Sequence, residues 1–432
     1  MFFSIRFHFG LPIAMALAAW CASSNTRAGV SQSDLFVAGK GGYHTYRIPA
    51  LVTTTKGTLL AFCEGRKNGR GDSGAIDLLL RRSADGGTTW SPQQVVWHDG
   101  PNTCGNPCAV VDQQTGTIWL LLTWNRGDDR ESRIIAQTSK DTRRVFVTSS
   151  HDEGLTWRPP QEITAEVKPK DWTWYATGPG NGIQLSRGPH RGRLVVPCDH
   201  VTGEKGTGTF FGLHGGAAGQ HANGRKMSQS PAHAAYAHVI LSDDHGKTWR
   251  LGGSAPQSGS DESAVVELND GRLMLNMRTY DRARLRKVCL SRDGGATWQG
   301  GYDDPALVDP PCQGSILRYT WTQKGTVPFL RHPAAKIGTV PAGPGGKSRI
   351  LFANPAARKR QNMTVRLSYD EGKTWPVARS LYAGPAAYGC MTTLPDGGIA
   401  IAFETGAKGP RERITLARFS LAWLSGGRDA LP

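Results

Sequence analysis

Short apolar or alternating runs recur along the chain from about residue 36 to residue 421. They include GTLLAFCEG, IDLLLRRS, TIWLLLTW, RLVVPCDH, RLMLNMRT, SRILFANP and IAIAFET, and Gly, Pro, Asn or Asp residues bound them. A half-buried strand alternates apolar and polar residues, whereas a fully buried strand is a short apolar run. No segment keeps a helical period for long. The pattern therefore predicts an all-β chain made of short strands.

One eight-residue turn occurs five times after such runs. The Ser hydroxyl and Asp carboxylate can accept hydrogen bonds from backbone N–H groups, Gly permits a positive φ, and Trp supplies a large packing face. Each copy therefore predicts a hairpin brace that belongs to the scaffold and has no catalytic role. The copies are SADGGTTW from Ser83, SHDEGLTW from Ser150, SDDHGKTW from Ser242, SRDGGATW from Ser291 and SYDEGKTW from Ser368.

Repetition of the hairpin implies repetition of a small sheet. A sheet of four strands cannot bury both faces alone, so such sheets must stack on copies of themselves, as in a β-propeller. Six blades of about 65 residues would use residues 29–432 as a single domain, the sixth blade lacking the turn. A segment near residues 203–235, rich in Gly, Ala and His, interrupts the pattern and is predicted to be a surface loop.

The first 28 residues have the pattern of a signal peptide. Arg6 precedes a short apolar run, and small residues follow it, so cleavage is expected near Ala22 or Ala28. We therefore predict a secreted or periplasmic protein. Cys21 follows Trp20, a poor residue for a lipidation motif, which argues against a lipid anchor. No later stretch has the length and apolarity of a membrane span.

Charge and cysteine content narrow the possible ligands. The formal net charge of +16 favours anionic partners such as acidic glycans, membranes or nucleic acid. The cations are scattered, which disfavours nucleic acid as the partner. Cys104 and Cys108 could form one local disulfide in an oxidising compartment. A zinc site would need two further ligands, and no Cys/His pair with matching spacing is present, so we expect no metal.

TYRIPA at residues 45–50 is followed by GRKNGRGDSGAIDLLLRRSADGGTTW, and later come GPGNGIQL, LMLNMRTY, LFANPAARKRQNMTVRLSYDEGKTW and GPAAYG. In this order along the chain, these segments resemble the exo-α-sialidases. That family combines an Arg-Ile-Pro motif with Asp boxes, the turn described above, and the likeness covers almost all of residues 29–432. It implies a six-bladed propeller that hydrolyses terminal α-linked sialic acids on glycoproteins, glycolipids or oligosaccharides. The resemblance implies no cofactor.

The resemblance also implies a set of substrate-binding arginines. Sialic acid carries a carboxylate on its anomeric carbon, and a guanidinium binds a carboxylate through two parallel hydrogen bonds. The matching positions are Arg47 in YRIP, Arg278 in NMRTY and Arg360 in ARKRQNMTV, with Arg358 as the alternative to Arg360. Arg66 in CEGR matches an arginine on the O4 side of the sugar.

Three further residues match the catalytic positions of that family. Tyr388 in GPAAYG matches the nucleophile of that family. A neutral phenol suits this role because it avoids repulsion from the substrate's own carboxylate. Glu262 in SDESAVVEL matches the base that takes the phenol proton. Asp72 in GRGDSG matches the acid that protonates the leaving oxygen and then activates water. Asp77 is the alternative to Asp72, although IDLLLRR makes it the start of a strand.

Other functions remain as alternatives. GDSGA at residues 71–75 is similar to a serine-protease motif, but only His8 and His44 precede it, which excludes that order of catalytic residues. A non-catalytic propeller that binds acidic glycans would keep the arginines without the tyrosine, glutamate and aspartate together. A trans-sialidase, or an enzyme that releases the sugar by intramolecular attack, would share all of them. A related nonulosonic acid such as KDN is an alternative substrate.

An aromatic segment, DWTWYATGPG, has two possible roles. Trp172, Trp174 and Tyr175 could line the end of the site that receives the N-acetyl or glycerol arm of the sugar, or they could pack against a neighbouring blade.

Overall fold

The computed structural model describes residues 25–27, 29–203, 233–322 and 346–431. Most of the predicted signal peptide and residues 204–232 of the predicted insertion lie outside these residues. The described part of the chain is all-β, with short helices only at α1 (Glu131–Ile135), α2 (Thr164–Val167) and α3 (Leu421–Ser425). None of these helices is long and apolar enough to cross a membrane.

The strands follow one another with short connections. In chain order they are β1 (Asn25–Arg27), β2 (Val30–Val37), β3 (Thr45–Thr53), β4 (Leu59–Arg66), β5 (Ile76–Ser83), β6 (Gln94–Trp97), β7 (Thr103–Val111), β8 (Ile118–Asn125), β9 (Arg144–Ser150), β10 (Gln161–Glu162), β11 (Trp172–Thr177), β12 (Gly180–Asn181), β13 (Ile183–Gln184), β14 (Leu194–Gly203), β15 (His233–Ser242), β16 (Arg250–Ser254), β17 (Ser260–Glu267), β18 (Leu273–Thr279), β19 (Leu285–Ser291), β20 (Gln299–Val308), β21 (Ser315–Thr320), β22 (Arg349–Pro355), β23 (Gln361–Ser368), β24 (Val377–Thr393), β25 (Ile399–Thr405) and β26 (Arg413–Phe419).

The strand predictions from the apolar runs are confirmed. The seven runs form β4, β5, β8, β14, β18, β22 and β25, and most of their residues are buried on both faces. The structure describes only the two ends of the loop predicted near residues 203–235, where Gly203 ends β14 and residues 233–235 belong to β15. These positions pair with each other across the sheet, so strand pairing continues into both ends of the predicted loop.

The strands pair as successive antiparallel meanders of four. Three of them are uninterrupted in the chain: β3 to β6, β7 to β10 and β17 to β20. A fourth joins β11, β14, β15 and β16. The long strand β24 takes part in two meanders, because its first half pairs with β23 and its second half pairs with β25. The N-terminal strand β2 then pairs with β26, which joins the two ends of the chain in one sheet.

The inner strands of the meanders lie against one another. β3 contacts both β7 and β24, β17 contacts β14 and β21, and β21 contacts β24. Side chains from distant parts of the sequence are therefore brought to a common centre.

The repeated turns form the predicted braces. In the turn after β23, the Asp370 carboxylate accepts from the Ser368 hydroxyl at 2.8 Å and from the Thr374 N–H at 2.9 Å. The other four copies repeat these bonds. The turns also contact the preceding sheet: a Cβ on Gly246, whose φ is +86°, would lie 2.1 Å from the ring of Trp119. Glycine is required there by both the backbone and the close approach.

Two buried histidines face each other across β14 and β15. The Nδ1 atoms of His200 and His238 are 3.1 Å apart, and the ring of Trp172 stacks on His200 with 3.3 Å between centroids. Burial lowers the pKa of His200 to about 3, and burial together with His200 lowers the pKa of His238 well below its usual range. The folded protein therefore holds both rings neutral.

We expect the histidine pair to make the protein sensitive to acid. An unfolded histidine titrates near pH 6.5, so below that pH the unfolded chain binds more protons than the folded chain. The stability contributed by the neutral rings is thus complete above pH ~6.5 and is lost as the pH falls towards 3. Each histidine can remove up to about 2 kcal/mol of unfolding free energy between pH 7 and pH 5.

Urea denaturation of His200→Gln at these two pH values measures the effect. The variant should lose less stability on acidification than the wild type, whereas a variant of the exposed His98, His98→Gln, should behave as the wild type does. Equal pH dependence in all three proteins would contradict the prediction.

Candidate active site

Local irregularities on the inner strands carry the predicted site residues. Pairing shifts register next to Arg47 on β3, around Glu262 on β17 and around Tyr388 on β24. Tyr388 has a φ of +35° and Ile48, which follows Arg47, has a φ of +60°. Bulges and unusual backbone angles of this kind redirect side chains and are concentrated near active sites. Here they turn side chains towards the centre where the inner strands meet.

The predicted arginines surround Tyr388. The guanidinium carbons of Arg47 and Arg360 lie 4.8 and 5.3 Å from the centroid of its ring. Nη1 of Arg278 lies 3.3 Å from the phenol oxygen. Arg360 is held by a hydrogen bond from its Nη2 to the carbonyl of Pro311 at 2.9 Å. The structure thus brings three guanidinium groups from distant strands and loops to one tyrosine.

Arg358, the alternative to Arg360, is not part of this group. It is exposed, whereas Arg360 is partly buried and stacks near the phenol ring.

Glu262 and Tyr388 are directly bonded. The Tyr388 hydroxyl donates to Oε1 of Glu262 at 2.7 Å, and Arg278 contacts the other carboxylate oxygen. Burial raises the pKa of Glu262, but the charge of Arg278 and the hydrogen bond from Tyr388 outweigh it, so the net pKa is lowered. Burial and the charge of Glu262 raise the pKa of Tyr388 well above its ordinary value, against the three arginines. The resting pair is therefore a neutral phenol beside a carboxylate.

Asp72 lies at the opening of the arginine group. Its Oδ1 is 2.7 Å from Nη1 of Arg66 and 3.2 Å from Nη1 of Arg47, and its side chain is 31% exposed. The alternative, Asp77, lies on β5, where its buried carboxylate accepts from the Tyr43 hydroxyl at 2.7 Å and pairs with Lys67. Asp72 can therefore meet a ligand in this opening, whereas Asp77 is bound within the scaffold.

Two buried glutamates hold the arginines, and the sequence reasoning missed both. Glu404 on β25 is fully buried and binds Nε and Nη2 of Arg47 at 3.1 and 3.3 Å, as well as the N–H of Ile48. Glu64 on β4 accepts from Nε and Nη2 of Arg66 at 3.0 and 2.6 Å. Each glutamate stands in an otherwise apolar strand, IAIAFET or GTLLAFCEG. A buried charge needs a partner, so these glutamates could have been recognised as supports for nearby arginines.

Arg278 has a second acidic neighbour that was also missed. Oδ2 of Asp261 lies 3.6 Å from its Nε, and the Tyr280 hydroxyl contacts its Nη2. Burial raises the pKa of Asp261 to about 7, with Arg278 opposing the shift and Glu262 adding to it. Arg278, on β18, is thereby held between Asp261 and Glu262, which lie on the neighbouring strand β17.

The residues of the aromatic segment lie in two different clusters. Trp172 and Tyr175 belong to a hydrophobic core cluster and serve packing. Trp174 packs in a different cluster beside Tyr280, and the guanidinium carbon of Arg143 lies 4.3 Å from its ring centroid. Because Tyr280 contacts Arg278, one residue separates Trp174 from the arginine group, and its contact with the sugar stays a prediction.

The seven cysteines within the described residues are buried and unbridged. Cys104 and Cys108 are free thiols on β7, so the local disulfide considered from their spacing is absent from this structure.

The chain is all-β, has five Ser-x-Asp turns and holds a phenol–carboxylate pair among three arginines. These features are those of an Asp-box protein whose site suits an anionic ligand. Residues 57–401 match the model of the BNR repeat-like domain, so the chain belongs to this family, the Asp-box type of the sialidases.

Individual relatives are similar over most of the chain. A sialidase of Micromonospora viridifaciens is 35% identical over 405 residues, which cover 92% of this chain and 54% of that protein. The chain thus spans about half the length of that relative. An exo-alpha-sialidase of Aspergillus fumigatus is 29% identical over 473 residues and is matched along 99% of its length.

Solved structures show the same fold. The Hadza microbial sialidase Hz136 superimposes with a TM-score of 0.70 at 28% identity, covering 91% of this chain and 69% of that chain. A leech intramolecular trans-sialidase superimposes with a TM-score of 0.68 at 19% identity, covering 93% and 71%. At that identity the second likeness concerns the fold alone.

Proposed function

We propose that this protein is a secreted, retaining exo-α-sialidase built on a six-bladed β-propeller. The observation that carries the proposal is the 2.7 Å hydrogen bond from Tyr388 to Glu262 inside a group of three arginines. A module that only binds acidic glycans needs the arginines but has no use for a phenol paired with a base. Membership of the sialidase family supports the same reading.

The propeller explains how one site draws on the whole sequence. Its support is the series of contacts between inner strands, which runs from β3 through β7, β14, β17, β21 and β24 back to β3. In a propeller these strands line the central channel, and a ligand in the channel mouth meets side chains from every blade. Residues 1–28 would direct the chain out of the cytoplasm before it folds.

Arg47, Arg278 and Arg360 bind the carboxylate of a terminal sialic acid on a glycoprotein, glycolipid or oligosaccharide. Buried carboxylates and packing hold the guanidinium groups in position before the ligand arrives, so little reorganisation is needed on binding. Arg66 approaches the O4 side of the sugar from beside Asp72.

The reaction then takes two steps. In the first, the Tyr388 oxygen attacks the anomeric carbon while its proton passes to Glu262, and Asp72 gives a proton to the departing glycosidic oxygen. In the second, Asp72 takes a proton from water, the water oxygen displaces the Tyr388 oxygen from the anomeric carbon, and Glu262 returns the proton to the phenol. Two displacements at one carbon retain its configuration. No metal or organic cofactor enters either step.

Turnover of a fluorogenic α-sialoside by the purified protein tests the function. We expect release of the fluorophore from mildly acidic to neutral pH, and a fall in kcat of about 10²- to 10⁴-fold in Asp72→Asn, the range of general acid–base catalysis. Asp77→Asn is the matched control for activity, because that residue binds Tyr43 and Lys67 instead of the site.

The products separate the alternatives. Free sialic acid identifies hydrolysis, an anhydro sugar identifies intramolecular attack, and sialylation of added lactose identifies transfer. Absence of turnover with retained binding of sialyllactose would favour a glycan-binding module and refute the proposed enzyme.

A further inference from the structure

A pocket with a basic lining opens between the N-terminal part of the chain and the loop before β26. Its volume is about 320 Å³. It is formed where the end of β2, the start of β3 and the loop after β4 come together. The titratable residues that line it are His44, Arg70, Arg411, Glu412 and Arg413.

This pocket adjoins the candidate acid, Asp72. The carbonyl of Arg70 accepts a hydrogen bond at 2.9 Å from Nη1 of Arg66, the same atom that pairs with Asp72. The guanidinium of Arg411 is close enough to interact electrostatically with Asp72 and Arg47. The pocket therefore lies next to the opening of the arginine group, with Arg66 between Arg70 and Asp72.

Two of its arginines lack a direct ion-pair partner among the described residues. Arg413 pairs with Asp34 at 3.2 Å. The carboxylate of Glu412 accepts backbone N–H groups of residues 407–409, which lower its pKa and keep it ionised, so the lining has three guanidinium groups and one carboxylate. Within the described ranges, the Arg70 and Arg411 guanidinium groups have neither a hydrogen bond nor an ion pair.

Arg411 is half-buried, so a bound anion would stabilise its guanidinium group. Burial lowers its pKa and the neighbouring charge of Arg47 adds to this effect, while the charges of Asp72 and Glu404 oppose it without reversing it. An anion in the pocket would offset both the lost hydration and the repulsion.

The position of Asp72 also indicates which part of a substrate would reach the pocket. A general acid contacts the glycosidic oxygen, which joins the sugar that is attacked to the group that leaves. The cleaved sugar lies on the side of Tyr388 and the three arginines, so space on the other side of Asp72 is available to the leaving group.

We propose that this pocket is a subsite for a negatively charged leaving glycan, one whose sugar next to the cleaved residue carries a carboxylate or a sulfate. The inference rests on the proposed sialidase function and adds a substrate preference to it. Arg411 and Arg70 contact the anion, and the enzyme favours such substrates over those with a neutral leaving sugar.

Three substrates test this subsite. Sialyllactose leaves a neutral sugar, α2-8-linked disialic acid leaves a sugar with a carboxylate, and a sulfated sialyllactose leaves a sugar with a sulfate. The readout is the ratio of kcat/KM for each charged substrate to kcat/KM for sialyllactose. Wild type is compared with Arg411→Gln and Arg70→Gln. The matched control is Arg292→Gln, which removes an exposed charge from a turn after β19.

We expect the ratio to fall roughly 5- to 10-fold in Arg411→Gln, mainly through KM, for at least one of the two charged substrates. The charged substrate whose kcat/KM ratio falls identifies the anion, carboxylate or sulfate, that the pocket binds. Higher salt should reduce the wild-type ratio, because the charges are partly exposed. Arg292→Gln should keep the wild-type ratio.

Equal ratios in wild type, Arg411→Gln and Arg70→Gln, with active enzyme on sialyllactose, would overturn the subsite while leaving the sialidase function intact. Failure to cleave sialyllactose would instead refute the proposed function, and the subsite with it.

Discussion

Tyr388→Phe is expected to lower kcat on an α-sialoside by at least about 10³-fold, because it removes the attacking oxygen. The ring remains, and with it the contacts to the guanidinium groups of Arg47 and Arg360. KM should therefore change much less than kcat. Steady-state kinetics of the purified variant give both values.

A second measurement excludes a trivial loss of folding. The substitution removes the hydrogen bond to Glu262, but that carboxylate keeps its contact with Arg278. The melting temperature of the variant should stay within a few degrees of wild type. Turnover by Tyr388→Phe equal to that of wild type would show that another group is the nucleophile.

Glu404→Ala is expected to lower the free energy of unfolding by about 3–5 kcal/mol, because it leaves the buried charge of Arg47 without its main partner. Glu404 is fully buried, and it also accepts the N–H of Ile48 at 2.9 Å, so a backbone donor loses its acceptor too. Arg47 would then keep the ion pair with Asp72, at 3.2 Å, and its contact with the Tyr388 ring. We also expect KM to rise.

Chemical denaturation and kinetics measure the two effects. Glu404→Gln is the conservative comparison, since its amide can still accept from Arg47 or from the N–H of Ile48, and it should retain more stability than the alanine variant. An exposed carboxylate on another sheet, Asp270, provides the control, and Asp270→Ala should change stability by less than about 1 kcal/mol. A Glu404→Ala protein as stable as wild type would show that Arg47 does not depend on this pair.

Much of the fold follows from local patterns. The apolar runs predicted strands that the structure confirms, and the Ser, Asp and Gly of each turn make the bonds expected of them. These predictions succeeded because alternation and turn chemistry act over a few neighbouring residues. The pairing of β2 with β26 had no such signal, since it joins segments at opposite ends of the chain.

The candidate site was predicted from motifs, and the structure separates the alternatives. Arg360 stacks near Tyr388 while Arg358 is exposed, and Asp72 meets Arg47 and Arg66 while Asp77 is bound elsewhere. The supporting carboxylates were missed because a partner for Arg47 is specified only by packing between distant strands. The cleavage of the predicted signal peptide and the secretion of the protein stay predictions.

The sequence by itself determined the strands, the braces and the kinds of side chain available to the site, because those depend on residue type and short spacing. Only the tertiary structure decided that Glu404 supports Arg47, that Asp261 and Glu262 hold Arg278 between them, and that Arg411 stands beside Asp72. These contacts arise where sheets far apart in the chain meet around one centre. No local pattern encodes that meeting, since it depends on how all the sheets pack together.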